Sequence, residues 1–372
     1  MNLIVIADDI TGAAEIAGIA FVQGQQVRLL CGSFGGGGSV CSFDTATKGM
    51  TVMATDTRSM SEAEAVAETQ RVSFLISHSP FLIFKKTDSA LRGHVVAELT
   101  ALMEATGYQR AVYMPANPSK GRIIRNGVYY INGKSIHETA FSYDPEFPAQ
   151  TSVLRERFLN AETQGIIMPD AESTDDIRRI IAEYNDGQTL FAGAADLFSV
   201  LLKMTHGDTP THSHQTSAIS HPTSAILHQP STLILCGSTQ SKPLDWGIPI
   251  APMPREVYDG SEDISLWDTS HYADTNSLIL TMPYTHRTGK AAAVHLRTMM
   301  ALKAKELMIL HCPNHLIIEG GATAWATLQA LGWSQFQIVN QIAPGVVQMR
   351  AENGTYITLK PGSYPWGRAT LK

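Results

Sequence analysis

Residues 1–20 read MNLIVIADDITGAAEIAGIA. Five apolar residues, Leu3–Ala7, run into two adjacent carboxylates, Asp8 and Asp9. A small-residue turn, Thr11-Gly12-Ala13, follows, and then an apolar pattern of helical period in which Ala13, Ile16, Ala17, Ala20 and Phe21 share one face. A strand this uniformly apolar belongs inside a parallel sheet covered on both faces. In an open α/β sheet ligands gather beyond the carboxyl ends of the strands, so acids at that point are candidate reactive groups. One carboxylate, or Thr11, is enough to cap the helix. Two acids, with a glycine that lets a ligand approach the backbone, point beyond capping. Asp9, or Asp8, is then a candidate general base on a hydroxyl.

Working outward, the same grammar recurs. Further strands are predicted at Val27–Cys31, Thr51–Thr55, Phe81–Phe84, Ala111–Met114 and Ile166–Met168, mostly without alternation. Val95–Ala105 reads as a helix closed by Gly107, and Ser173 to Asp176 as a capping-box variant opening Ile177–Tyr184. GVYYINGKSI reads as a hairpin turning at Asn132-Gly133. This alternation predicts a doubly wound, mostly parallel N-terminal sheet. From Thr205 to Pro230 the composition turns to Ser, Thr, His and Pro, the mark of a linker. Its histidines (His206, His212, His214, His221, His228) sit on no rigid element that would space them as metal ligands, so a solvated linker is the reading. Gly32 to Val40 is a second flexible stretch. Beyond Pro230, strands are expected at Leu233–Cys236, Leu278–Met282 and Leu316–Ile318. Helices are expected at Lys290–Lys305 and Ala322–Leu331, and short antiparallel strands around Asn353-Gly354. The expected organisation is a substrate domain over residues 1–204, a linker over 205–230 and a second α/β domain over 231–372.

The whole chain narrows the function classes. Its 372 residues carry 28 Lys and Arg against 34 Asp and Glu, a net charge of −6 that argues against nucleic acid or a membrane surface as partner. No stretch approaches the roughly 18 apolar residues of a membrane span. Asp8 and Asp9 interrupt the first apolar run, which has no basic flank, so it does not read as a signal peptide. Four cysteines (Cys31, Cys41, Cys236, Cys312) without motif spacing read as reduced thiols in a cytoplasmic enzyme. HCPNH, residues 311–315, fits no common zinc spacing and reads as a loop before a strand. Trp325 and Trp333 read as packing a helix into the core. A homo-oligomer is left open.

Three strand ends carry charge. FKKTDSALRGH, residues 84–94, gathers Lys85, Lys86, Asp88, Ser89 and Arg92 after a strand, and ATDTRSM adds Asp56 and Arg58. Arg58, Lys86 and Arg92 together suit a small anionic substrate, because the arginine fork takes both oxygens of a carboxylate. In the C-terminal half the strand ends carry glycines instead: Gly237-Ser238, Gly320-Gly321 and Gly362. Such turns let backbone N–H groups and a helix dipole meet phosphate, although none matches a P-loop or a dinucleotide fingerprint. Acids and cations in one domain and phosphate-type turns in the other suit phosphoryl transfer from a nucleotide to a small acid. A phosphohydrolase using Asp9 as nucleophile is disfavoured, since DDITG lacks the acid two residues on.

At these motifs the sequence resembles the four-carbon acid sugar kinases. The matching stretches, in order, are IADDITGAAEIAG, TDTRS, KKTDSALRG, PANPSKGR followed by NGKSIHET, DPEFP, the GS of LCGSTQ, IEGGATA, APGV and LKPGSY. The resemblance implies an N-terminal acid-sugar-binding domain, a C-terminal nucleotide-binding domain, ATP with Mg2+ as cofactors, and phosphorylation of a hydroxyl on a threonate- or erythronate-type acid in a cleft between the two. It implies Asp8, Asp9, Arg58, Lys86, Asp88 and Arg92 on the substrate side. On the ATP side it implies Ser238, the run Gly320, Gly321, Ala322 and Thr323, and Gly362. Ala322 stands where the family usually has an acid, Asn117 where Phe is usual, and Ala90 and His94 where Thr and Asn are common. These departures leave open a homologue that binds nucleotide and sugar acid with weakened or lost catalysis.

Overall fold

The computed structural model describes residues 3–32, 49–76, 81–144, 147–206, 231–238, 244, 246–282, 289–362, 364 and 366. Most of the Thr205–Pro230 stretch, with His212, His214, His221 and His228, lies outside the described residues, as does nearly all of Gly32–Val40. The chain divides into two compact units. One comprises Met1–Val27 and Cys31–His212; the other comprises Arg28–Leu30 and Ser213–Lys372.

The first unit is built on strands β1 (Leu3–Ala7), β3 (Met50–Ala54), β4 (Leu82–Lys86), β5 (Arg110–Met114), β9 (Ile166–Ile167) and β10 (Thr189–Gly193); β2 (Val27–Cys31) falls between β1 and β3 in the chain. Their order is β3-β1-β4-β10-β5-β9, every neighbouring pair parallel. All five residues of β1, β3 and β10 are buried, as expected of strands covered on both faces. Helix α1 (Ile10–Val22) begins three residues before the apolar periodicity suggested, because Asp9 caps it, taking the Gly12 N–H on its side chain. Helices α2 (Glu62–Ile76) and α3 (Val95–Thr106) pack on each other, and α3 closes at Gly107 with φ 83°. The strand order reverses at β1: β3 lies on one side of it and β4 on the other. That topological switch point is where an open α/β sheet forms its ligand crevice.

A separate antiparallel ribbon, β6 (Arg122–Arg125), β7 (Val128–Ile131) and β8 (Lys134–Ser135), follows β5. Its turns are Asn126-Gly127 and Asn132-Gly133, all four residues at φ between 49° and 78°, the mirror-image turn that Asn-Gly favours. The second of these turns is the one expected from sequence. The capping box at Ser173 also forms, with Asp176 as its acid, and opens helix Thr174–Tyr184.

The second unit contains β11 (Thr232–Cys236), β12 (Ile250–Pro252), β13 (Ser277–Thr281), β14 (His315–Glu319), β15 (Gln335–Ala343), β16 (Val346–Ala351) and β17 (Tyr356–Lys360). The order β12-β13-β11-β14-β17 is parallel, and β17-β16-β15 continues it antiparallel; Arg28–Leu30 of β2 pairs antiparallel on β15. Helix Gly321–Leu331 ends at Gly332, φ 70°. Three expectations are corrected. Lys290–Lys305 is one long helix reaching His311, so His311 ends that helix; residues 312–314 form the expected loop before a strand, and His315 is buried in β14 and bonds Thr358 Oγ1 through Nε2 at 2.8 Å. Strand β10, absent from the predicted set, lies between β4 and β5. Trp325 and Trp333 are only half-buried.

Candidate active site

The carboxyl ends of β1, β3 and β4 lie side by side, and each leads into a loop bearing charge. The register pairs Ala7 with Ala54 on one side and with Lys86 on the other, so the residues just beyond these ends converge. Arg58 is the hub. Its Nε donates to Asp8 Oδ2 at 3.0 Å and its Nη2 to Asp9 Oδ1 at 2.9 Å. Its Nη1 stands 3.6 Å from Asp88 Oδ1. Backbone bonds hold the hub in place: Thr55 N–H donates to the Ala7 carbonyl and Arg58 N–H to the Asp8 carbonyl, at 3.0 and 3.2 Å. Arg92 clasps Asp88 bidentately, Nε to Oδ2 at 2.8 Å and Nη2 to Oδ1 at 2.9 Å. Asp88 also accepts the Ala90 N–H at 2.9 Å. Lys86 Nζ donates to the Thr87 carbonyl at 2.9 Å and lies 3.7 Å from Glu15. The six residues singled out on the substrate side therefore form one assembly, but the arginines are engaged by acids rather than standing free.

The two acids of the opening motif differ. Asp9 is spent: one oxygen takes the Gly12 N–H and Arg58, the other takes the Thr11 hydroxyl. Thr11 thus lies inside the helix as a donor to the cap and is not the cap itself. A Cβ at Gly12 would stand 2.6 Å from that same Asp9 oxygen, which explains the glycine. Asp8 is 2% exposed, and its Oδ1 has no hydrogen-bond partner among the described residues. Burial, opposed by Arg58, pushes the Asp8 carboxyl up to about 6. Burial acts on Asp9 too, but Arg58, Lys86 and the Thr11 hydroxyl hold it below the ordinary carboxylate range. For Asp88, Arg92 and Arg58 overcome burial and hold it well below that range.

Several participants carried no signal of their own in the sequence. Glu15 is a buried acid on the apolar helix α1 that holds both Lys86 and Lys120; a lone glutamate in so apolar a helix was the available clue. Behind the cluster, Lys85 and Glu98 form a buried pair at 2.5 Å. Glu98 also accepts Thr57 Oγ1 at 2.8 Å, and Thr57 meets Thr55 at 3.1 Å. Asp144 stands 3.5 Å from Arg92. Leu91, at φ 63°, and Gly93, at φ 96°, turn the Asp88 loop back on itself. Arg157 pins that loop from outside, donating to the Leu91 and Pro148 carbonyls at 3.0–3.1 Å.

In the second unit the glycine turns also meet. Gly237-Ser238, Gly320 and Gly362 follow the adjacent strands β11, β14 and β17. A Cβ at Gly237 would fall 1.9 Å from Thr323 Oγ1 and one at Gly362 would fall 2.0 Å from Ser238 Oγ; one at Gly320 would reach Ser238 Cβ at 3.5 Å, but there the φ of 97° is what asks for glycine. Only glycine allows these turns to nest. Gly320 is the N-cap of helix Gly321–Leu331, and no side chain caps it, so the first-turn amides of Gly321, Ala322 and Thr323 make a ready anion site. Ala322 is exposed there and Thr323 is buried. Beneath the turns Glu319 and Lys360 pair at 3.0 Å, and Trp366 Nε1 donates to Glu319 at 2.6 Å.

The chain thus pairs an α/β unit carrying a charged strand-end cluster with an α/β unit carrying nested glycine turns and an uncapped helix start. Residues 3–164 match the family described as sugar-binding N-terminal domain, and residues 271–364 match the nucleotide-binding C-terminal domain. The chain is 32% identical over 158 residues to a D-threonate kinase of Salmonella typhimurium, covering 42% of this chain and 36% of the relative. It is 32% identical over 171 residues to a 3-oxo-tetronate kinase of Brucella melitensis, covering 44% and 37%. These matches span little more than a third of the relatives' length. A 3-oxo-tetronate kinase of Actinobacillus succinogenes aligns at 24% identity over 98% of this chain and 97% of its own. Among solved structures, a Salmonella typhimurium protein described as a putative tRNA synthase shares the fold at TM-score 0.74 and 19% identity, over 100% of this chain and 97% of its own. The two domain matches and these relatives support a place in the four-carbon acid sugar kinase family. Among the described residues no helix is long and apolar enough to cross a membrane.

Proposed function

We propose that this protein is an ATP-dependent kinase that phosphorylates a hydroxyl group of a four-carbon sugar acid. The observation that carries the reading is the buried, unpartnered Asp8 oxygen beside Arg58 at the sheet's switch point. A buried carboxylate oxygen left unpaired is costly unless a ligand or water completes it, and a substrate hydroxyl does so as a donor. The family membership and the threonate and tetronate kinases among the relatives support the substrate class. The domain division follows: residues 1–204 bind the acid, residues 205–230 link, and residues 231–372 bind the nucleotide. A kinase drawing on ATP suits a cytoplasmic location.

In this mechanism Asp8, rather than Asp9, accepts the hydroxyl proton, because Asp9's oxygens are committed to the cap, Thr11 and Arg58. A carboxyl near 6 is also a better-matched base at neutral pH than one held low. Asp9 and Asp88 orient Arg58 and Arg92, which with Lys86 surround the acid's polar groups. The first-turn backbone amides of Gly321, Ala322 and Thr323 would hold phosphate, while the N–H groups of Gly237 and Gly320 donate to the Glu319 and Lys360 carbonyls and fix the turns around them. Among the described residues no three His, Cys, Asp or Glu side chains are grouped to hold a metal ion; a Mg2+ would be held chiefly by the nucleotide's own phosphates. When bound, Mg2+ supplies charge neutralisation on those phosphates. The test is ADP release with Mg·ATP across threonate, erythronate and 3-oxo-tetronate, on the wild type and on Asp8→Asn. Turnover of at least one acid, lowered about 10²–10⁴-fold by the substitution, is the expected result. Mg·ATP binding without turnover of any acid would overturn the kinase reading.

A further inference from the structure

We propose that Arg122 recognises the carboxylate of the sugar acid. The inference deepens the kinase reading and rests on it for the nature of the ligand. Around the Asp88 loop the charges can be paired off. Five carboxylates, Asp8, Asp9, Glu15, Asp88 and Asp144, face Arg58, Lys86, Arg92 and Lys120 in direct ion pairs. Arg157 is a fifth cation, its guanidinium donors taken up by the Leu91, Phe147 and Pro148 carbonyls. Five acids and five cations leave this part of the site neutral, with every arginine in it engaged. A substrate carboxylate brought there would meet no uncommitted guanidinium.

Arg122 is the sixth cation and it is surplus. It is the last residue of the PANPSKGR segment and opens β6, and it has no acidic partner among the described residues. One amine, Nη1, donates to Ser89 Oγ, beside Asp88. The guanidinium lies 5.7 Å from the Phe141 ring centroid, and Arg92 lies 6.0 Å from the same ring. Phe141 therefore holds Arg122 against the engaged cluster. The supports of Arg122 are themselves fixed: Tyr129 OH donates to the Ser89 carbonyl at 2.6 Å and to the Pro115 carbonyl at 3.1 Å. Nε and Nη2 of Arg122 keep their donors for a ligand. An arginine with two parallel donors, held by an aromatic face and a hydroxyl, is built for bidentate capture of a carboxylate. The Ser89 hydroxyl, accepting from Arg122, keeps its own proton to give to a neighbouring substrate oxygen.

The experiment uses the full chain and the variants Arg122→Ala and Arg122→Lys, with D-threonate, D-erythronate and 3-oxo-tetronate as probes. Acid binding is read by calorimetry and turnover by ADP release. Losing a charge-assisted pair raises KM and the acid's Kd about 10- to 100-fold in Arg122→Ala, with kcat changed far less, because ground state and transition state lose the contact alike. Arg122→Lys recovers part of the affinity, and Mg·ATP binding is unmoved in both. A Kd for the acid within twofold of wild type in Arg122→Ala overturns the inference. So does a loss in kcat alone, or a loss shared with Mg·ATP binding, since these mark a structural role. Wild-type acid binding that Arg122→Ala abolishes, without ADP formed by either protein, sinks the kinase reading and leaves the carboxylate site standing. A wild type that binds none of these acids sinks both.

Discussion

Asp8→Asn should make the protein more stable at alkaline pH while removing its activity. The Asp8 carboxyl stands at about 6 in the folded protein against an ordinary value of 3.8. A raised carboxyl pKa means that the fold binds this proton more tightly than the unfolded chain does. Stability contributed by the protonated form is present below about pH 4, declines as pH rises through about 4 to 6, and stays lost above that window. The difference of about 2.2 units, at 1.36 kcal/mol each, puts the cost of ionised Asp8 at about 3 kcal/mol above pH 7. The attraction of Arg58 is already inside that figure, because it is one of the causes of the shift. Asparagine copies the shape of the protonated acid, and its carbonyl can keep the Arg58 bonds. The expected gain is thus up to about 3 kcal/mol at pH 8, roughly 2–4 °C of melting temperature per kcal/mol for a unit of this size, and close to zero at pH 3.5. Scanning calorimetry of the wild type and variant at both pH values measures it, following the transition of the first unit. A variant less stable than wild type at pH 8, or a gain equal at both pH values, would refute the reasoning that the Asp8 oxygen is buried at a cost and held for a ligand.

Asp9→Ala removes both the cap of α1, worth about 1 kcal/mol, and an acid paired with Arg58, so it should cost more than the cap alone, whereas Asp9→Asn keeps the cap and should cost less; thermal unfolding separates the two. Glu98→Ala strands Lys85, which is 1% exposed, and should destabilise the protein by about 3–5 kcal/mol, while the double replacement Lys85→Met, Glu98→Met should recover most of that loss in urea unfolding. Gly237→Ala puts a methyl group 1.9 Å from Thr323 Oγ1. The turn must move, and Mg·ATP affinity measured by calorimetry should fall at least about tenfold, as when one charge-assisted bond is lost, while acid binding is retained.

What the sequence made legible was local. β1 and β2 begin and end where their apolar runs do, and Asp8, Arg58, Asp88 and Arg92 lie where a strand–loop–helix reading puts them, whereas Lys85 and Lys86, read as loop, are the last two residues of β4. β10 escaped because Thr189–Gly193 is five residues followed at once by Ala-Ala-Asp-Leu-Phe, so no turn signal separates it from a helix; its burial comes from insertion between β4 and β5, a fact of tertiary order. The last turns of helix Lys290–His311 escaped because Ile309 and Leu310, both 66% exposed, break the amphipathic pattern that marks a helix from sequence. The pairing of charges was not legible at all. That Arg58 bridges Asp8 and Asp9, that Asp88 takes Arg92, and that Arg122 is left over depends on the β3–β1–β4 register and on the ribbon that carries Arg122. None of these is encoded in spacing along the chain.

On the proposed reading the two units meet their ligands by different physical means, and this bears on Ala322. In the first unit specificity would rest on side-chain charges held in ion pairs, so a substitution there acts on its partners as well as on the ligand. In the second, the anion site is made of backbone: glycines that let three strand ends nest, and a helix start with no capping side chain. Exchanging a side chain at Ala322 removes none of those amides. A carboxylate in that first turn, where the family usually carries one, would be drawn to the same free N–H groups and the same positive end of the helix dipole that phosphate uses. Alanine leaves them open. The departure at this position is therefore no argument against nucleotide binding, and whatever the family's acid contributes must be sought in a contact made by its side chain.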